Sequence, residues 1–89
     1  MSKISIQSYK KVLIANRGEI ALRIIKTLQK LCLKSVAVYT DADKHSPHVK
    51  KADEAVKIDG GSRSDGYLSI DSIIAAAQKT NSHAIHPGY

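Results

Sequence analysis

Eighty-nine residues, 43% of them hydrophobic, make one small domain or a part of a larger protein, with too little chain to bury a large core unaided. The net charge of +6 raises the question of an anionic partner, but the cations are dispersed and the four tyrosines form no stacking pattern, which argues against nucleic-acid binding. No apolar run approaches the roughly 18 residues of a membrane span, and residues 1–10 hold no signal-peptide core and read as an N-terminal extension.

The first element is an apolar run from Val12 to Ala15, of a length and composition that predict a fully buried strand. A polar turn, Asn16-Arg17-Gly18-Glu19, follows, and a helical pattern begins at Ile20. Ile20, Ile24, Leu28 and Leu31, widened by Ala21 and Ile25, predict its apolar stripe. Arg23, Lys26, Lys30 and Lys34 share another face, read as solvated or as a contact for an anionic partner. Cys32, the only cysteine, excludes an intrachain disulfide and suits a reducing compartment, cytoplasm or mitochondrial matrix. Its place among leucines predicts a small buried hydrophobe.

Ser35 to Thr40 predicts a second strand, closed by Asp41-Ala42-Asp43. Ser46 and Pro47 open a short helix through about Ala52. Glu54 to Ile58 is a third strand, and Asp59 to Gly66 a polar loop. Ser69 caps a second long helix with Ile70, Ile73, Ile74 and Ala77 on its apolar stripe and Asn81 as its left-handed terminator. Ala84-Ile85 lies in a fourth strand, and Pro87-Gly88 turns the chain. Strands alternating with helices predict an α/β fold with a parallel sheet.

The strand, Gly-bearing turn and helix at the start suggest a dinucleotide site, with Asp41 placed as a ribose anchor. The fingerprint fails, because one Gly stands where three are wanted and Asn16, Arg17 and Glu19 obstruct a diphosphate. His45-x-x-His48 and His83-x-x-His86 offer no convincing metal set. Asp41, Asp43, Glu19 and Asp59 read as turn and cap residues. The chain's own inventory holds no catalytic or metal-binding apparatus, and a dinucleotide-binding Rossmann module or a basic, non-enzymatic interaction domain stand as alternatives.

Ala15-Asn-Arg-Gly-Glu-Ile-Ala-Leu-Arg-Ile24, Ser35-Val-Ala-Val-Tyr39, Asp41-Ala-Asp43, His48-Val49, Ala52-Asp-Glu-Ala55, Tyr67-Leu68 and Ala84-Ile-His-Pro-Gly-Tyr89 are more specific than any generic turn. From about Lys11 to the last residue the chain resembles the N-terminal domain of biotin carboxylase. The resemblance implies a three-layer, Rossmann-like parallel sheet of about four strands in the order 3-2-1-4 over residues 11–89. That domain stands before the ATP-grasp fold of a ligase that carboxylates biotin with bicarbonate through carboxyphosphate. ATP, magnesium and biotin are implied for the whole enzyme. Its ATP-grasp domain, the biotin carboxyl carrier domain, the carboxyltransferase and a homodimer are the implied partners.

The residues that bind ATP, magnesium and bicarbonate in that family lie beyond Tyr89, so the 89-residue chain alone is expected to be inactive. Carried over by position, Tyr89 matches a tyrosine lining the biotin pocket and Arg23 an arginine of the bacterial subunit interface. Bacterial members have an acidic residue at the position of Lys30, and relatives usually have Gly at that of Cys32. The two turns Asn16, Arg17, Gly18, Glu19 and His86, Pro87, Gly88 are expected to face each other across the switch point of the sheet. Arg17, Glu19 and His86 are expected to fix these turns and to transfer no proton.

Overall fold

The structure, a computed structural model, describes residues 10–58 and 70–88. The loop Asp59 to Gly66, the Tyr67-Leu68 pair, the Ser69 cap and Tyr89 lie outside the described residues. Four strands form one sheet: β1 (Lys11–Ile14), β2 (Lys34–Tyr39), β3 (Glu54–Lys57) and β4 (Ala84–His86). Their order is β3-β2-β1-β4 and every pairing is parallel. The order therefore reverses between β1 and β4, as the resemblance implies.

Three helices and a turn connect them: α1 (Gly18–Lys30), a 3-10 turn (Asp41–Asp43), α2 (Pro47–Lys51) and α3 (Ile70–Thr80). The apolar strand β1 is buried on both faces, and this divides the core in two. Leu13, with Val36, Val38 and Ile58, packs against Ile73, Ala76 and Ala77 of α3. Val12 and Ile14 point the other way, onto Ala21, Ile25 and Leu28 of α1. Alternation along a single strand thus feeds two layers.

Both helices bury part of the predicted stripe, rotated toward its small residues. On α1 the buried stripe is Ala21, Ile25 and Leu28, while Ile20 and Leu31 are 46% and 61% exposed. On α3 it is Ile73, Ala76, Ala77 and Thr80, while Ile70 and Ile74 are exposed. Alanine lets a helix axis approach the sheet closely, so the small residues face inward and some large ones fall outside. Lys34 opens β2 and so leaves the basic helix face to Arg23, Lys26 and Lys30.

α1 begins at Gly18, two residues before the apolar pattern does, and α2 follows Ser46 with Pro47 at its first turn. The Ser46 side chain makes no capping bond. Asn81, at φ 58°, ends α3 in the left-handed region as expected. Cys32 is a correction: it is exposed, with φ 61°. The turn from α1 into β2 needs that left-handed residue, and a Cβ is strained there. Cys32→Gly should therefore stabilise the chain by about 1 kcal/mol, read as a raised urea midpoint at unchanged slope.

Candidate functional site

The carboxyl ends of β1 and β4 lie side by side, and the turns that leave them touch. The Ala15 N–H donates to the His86 carbonyl at 2.8 Å, extending the ladder one residue past β1. Beyond it, Asn16 Nδ2 donates to the Pro87 carbonyl at 2.8 Å, and Asn16 Oδ1 accepts from the Arg17 N–H at 2.8 Å. One amide side chain therefore satisfies both turns. Gly88 is at φ +87°, and a Cβ there would stand 2.5 Å from Asn16 Nδ2. The Gly88 N–H donates to His86 Nδ1 at 2.9 Å, which places the ring proton of a neutral imidazole on Nε2.

Arg17 is fixed from the other side. Its Nε and a terminal nitrogen donate to the two Asp43 carboxylate oxygens at 2.6 and 2.8 Å, a two-bonded fork. Asp43 is 6% exposed, on the 3-10 turn that follows β2. The composition of that turn suggested only a turn residue; its burial and its partner, 26 positions away, were not readable locally. Asp41, the ribose-anchor candidate, faces solvent and pairs with Lys57 at 2.9 Å. That hydrogen bond and the Lys57 charge hold its carboxyl below 3.8.

Glu19 lies exposed in the first turn of α1, where its charge suits the helix dipole. Gly18, at φ +66°, would have nothing within 4 Å of an added Cβ. Glycine serves conformation there, and no close backbone approach is being protected. The Arg17 guanidinium is engaged by Asp43, and the turn carries one glycine where a diphosphate cradle has several. Among the described residues no group of three His, Cys, Asp or Glu comes together as a metal site.

His48 was missed as a site-supporting residue. It is 1% exposed on α2, with Nε2 3.4 Å from the Val38 carbonyl and no protein partner for Nδ1. Burial pushes its pKa below 6.5; the Val38 carbonyl and the Asp43 charge oppose this, and the Arg17 charge adds to it. The neutral ring is thus the folded form, so the unfolded chain binds the extra proton. Its contribution is complete above pH 6.5 and is lost as pH falls through the lower folded value. The urea midpoint should drop between neutral pH and about pH 5, and drop less in His48→Leu.

Beside the joined turns lies an open groove of about 560 Å³, walled by Ile20, Ile24 and Thr27 of α1 and by Leu31 just past its end, and closed by His86 and Gly88. Arg23 stands on its rim, exposed. Among the described residues no helix is long and apolar enough to cross a membrane.

A parallel sheet ordered 3-2-1-4, with side-chain bonds joining the two turns at its switch point, defines a Rossmann-like α/β domain. Residues 8–89 match the family model described as "Biotin carboxylase, N-terminal domain". The chain belongs to that family.

It is 59% identical over 81 residues to urea amidolyase of Lachancea kluyveri, covering 91% of this chain and 4% of that protein. To Biotin carboxylase 2 of Bacillus subtilis it is 56% identical over 81 residues, covering 91% of this chain and 18% of the other. Among solved structures, it superposes on Kluyveromyces lactis urea amidolyase with a TM-score of 0.87 at 53% identity, covering 99% of this chain and 5% of that one. A biotin carboxylase complex from Campylobacter jejuni also gives 0.87, at 46% identity, with 91% and 18% covered. The chain thus spans less than a fifth of the length of these four relatives.

Proposed function

We propose that this chain is the front part of a biotin carboxylase, forming one wall of the biotin pocket and part of a subunit contact. The observation that carries the reading is the Asn16 to Pro87 lock across the switch point, in a chain of this family. It fixes the backbone immediately before Tyr89, the residue assigned to the biotin pocket. The domain is taken as residues 11–89, with 1–10 as an extension.

The whole enzyme would use ATP, magnesium, bicarbonate and biotin, with phosphate and metal held by an ATP-grasp domain outside this chain. A carrier domain and a carboxyltransferase complete the assembly. Here Asn16, Arg17, Gly18, Glu19, His86, Pro87 and Gly88 hold the wall in place; His86 Nδ1 and the Arg17 guanidinium are already engaged within the fold. Arg23 is assigned to the subunit contact, supported by its exposure at the head of a row with Lys26 and Lys30. A reducing compartment, cytoplasm or mitochondrial matrix, fits the lone exposed thiol. The acceptor is set elsewhere, since relatives of this chain include urea amidolyase and propionyl-CoA carboxylase.

The test is a chimera in which this chain replaces the matching residues of Bacillus subtilis Biotin carboxylase 2. ADP release that requires both biotin and bicarbonate supports the reading; the 89-residue chain should show none. A folded but inactive chimera counts against it. Binding of NAD, or a salt-sensitive shift with DNA, would favour the dinucleotide module or the basic interaction domain instead.

A further inference from the structure

All the strands are parallel, so the connecting helices run back against them. One end of the sheet, the end away from the switch point, therefore gathers strand starts and helix ends. Lys10 precedes β1, Lys34 opens β2, Lys51 closes α2 just before β3, and Lys79 lies in the last turn of α3. Hydrogen bonds join these places into one surface. The Lys34 N–H donates to the Lys10 carbonyl at 2.9 Å, and the His83 N–H to the Lys11 carbonyl at 2.8 Å. Lys11 Nζ donates to the Thr80 carbonyl at 2.8 Å and pairs with Glu54.

The two ends of the sheet are charged differently. Around the switch point, Glu19, Asp41, Asp43 and Asp71 outnumber the cations Arg17, Lys44 and Lys57. At the amino end the acids are already engaged: Glu54 by Lys11, and Asp53 by the Ser35 N–H and hydroxyl, at 2.8 and 3.2 Å. Lys10, Lys34, Lys51 and Lys79 are exposed, and among the described residues none of them pairs with an acid. Lys79 also offsets the dipole of α3; the other three have no such duty. Lys30 belongs to the row headed by Arg23 and is left to it. We propose that this amino end of the sheet docks an acidic segment of a separate polypeptide.

Spacing and surroundings select that occupant. Neighbouring strands lie about 4.8 Å apart and the helix layers about 10 Å from the sheet, so the cations are too dispersed to converge on one small anion. An extended chain places alternate side chains about 7 Å apart, and a run of carboxylates on it meets several of these lysines at once. Tyr39, the one tyrosine among the described residues, closes β2 at the opposite end, so no base has a ring to stack on. Leu31 is the one large hydrophobic exposed beside these lysines, too little apolar surface to enter a bilayer. Unpaired charge without an apolar centre speeds an encounter from solution more than it adds affinity, which suits a partner that arrives by diffusion.

The test compares two triple variants of the 89-residue chain that carry the same net charge. One is Lys10→Gln, Lys34→Gln and Lys51→Gln; the other is Arg23→Gln, Lys26→Gln and Lys44→Gln, away from this end. The probe is a fluorescent poly-glutamate of about 20 residues, followed by anisotropy at low salt. The first variant should weaken binding about 10-fold or more, and the second by less than about 3-fold. Urea midpoints report folding, and if the first triple does not fold, Lys10→Gln with Lys51→Gln is read in its place. Equal losses in the two variants would leave net charge as the cause and overturn the proposal, as would an unaltered chain that does not bind. Tighter binding at the same salt of duplex DNA, or of vesicles containing anionic lipid, would give the face to those partners instead. The proposal rests on charge and topology, so an inactive chimera does not bear on it.

Discussion

Arg17→Ala should lower the stability of the chain by about 1–2 kcal/mol. The Asp43 side chain is 8% exposed, and the substitution leaves its carboxylate buried without the guanidinium that bonds both oxygens. A fully buried pair would cost more to break. The Arg17 side chain is 58% exposed, so solvent screens the interaction and the lower figure applies. Arg17→Lys should recover only part of the loss, since a point charge cannot form the fork. Adding Asp43→Asn to Arg17→Ala should recover part as well, by removing the buried charge that the guanidinium offsets. In the chimera, turnover measured well below the midpoint should persist. Turnover lost at full stability would mean that Arg17 acts on substrate, and its assignment as a corner residue would fall.

Gly88→Ala tests the other turn, and its expected effect is on activity. The new Cβ would meet Asn16 Nδ2 at 2.5 Å and Asn16 Cβ and Cγ at 3.0 Å, on backbone held at φ +87°. Relief takes a shift of about 1 Å, and misplacement on that scale can cost a reaction on the order of 100-fold. Biotin-dependent turnover of the chimera should fall 10- to 100-fold. The 89-residue chain should lose about 1 kcal/mol or less, because the turn stands at its end. Gly18→Ala is the matched comparison: it bears similar backbone strain with nothing within 4 Å, so its loss of turnover should be much the smaller of the two. Asn16→Ala combined with Gly88→Ala removes the clash but also the bond to Pro87. If that double variant restores full turnover, steric exclusion alone mattered and the Asn16 hydrogen bond did not.

Much of the fold was legible because strand burial and turn chemistry are local. Val12 to Ile14 and Val36 to Val38 read as continuous apolar runs, and both are buried. The order of the strands came from the resemblance and not from periodicity. The helix faces were legible in part: Ala21, Ile25, Leu28, Ile73 and Ala77 are buried as their spacing predicts, whereas Ile20 and Ile70 fall outside and Ala76 and Thr80 face inward instead. The site was legible as two turns and illegible as a network. Nothing near Asp43 in sequence shows that Arg17 closes on it, and nothing near Pro87 shows that Asn16 reaches it from 71 residues away. Those bonds exist only once the sheet has brought β1, β2 and β4 into line.

The sheet's two margins differ in a way that governs how the chain behaves in concentrated solution. β3 ends the sheet with Glu54 and Lys57 among its four residues, and charges of that kind discourage another strand from adding. β4 ends the opposite margin with Ala, Ile and His, and among the described residues no further strand hydrogen-bonds to it. Ile85 there is 42% exposed. Long-range repulsion from the net charge of +6 is what holds such margins apart, and salt shortens its reach to about 8 Å at physiological ionic strength. Purified at low salt, the 89-residue chain should stay dispersed. Dialysed into high salt, it should become turbid, with a lysine in place of Ile85 delaying the onset.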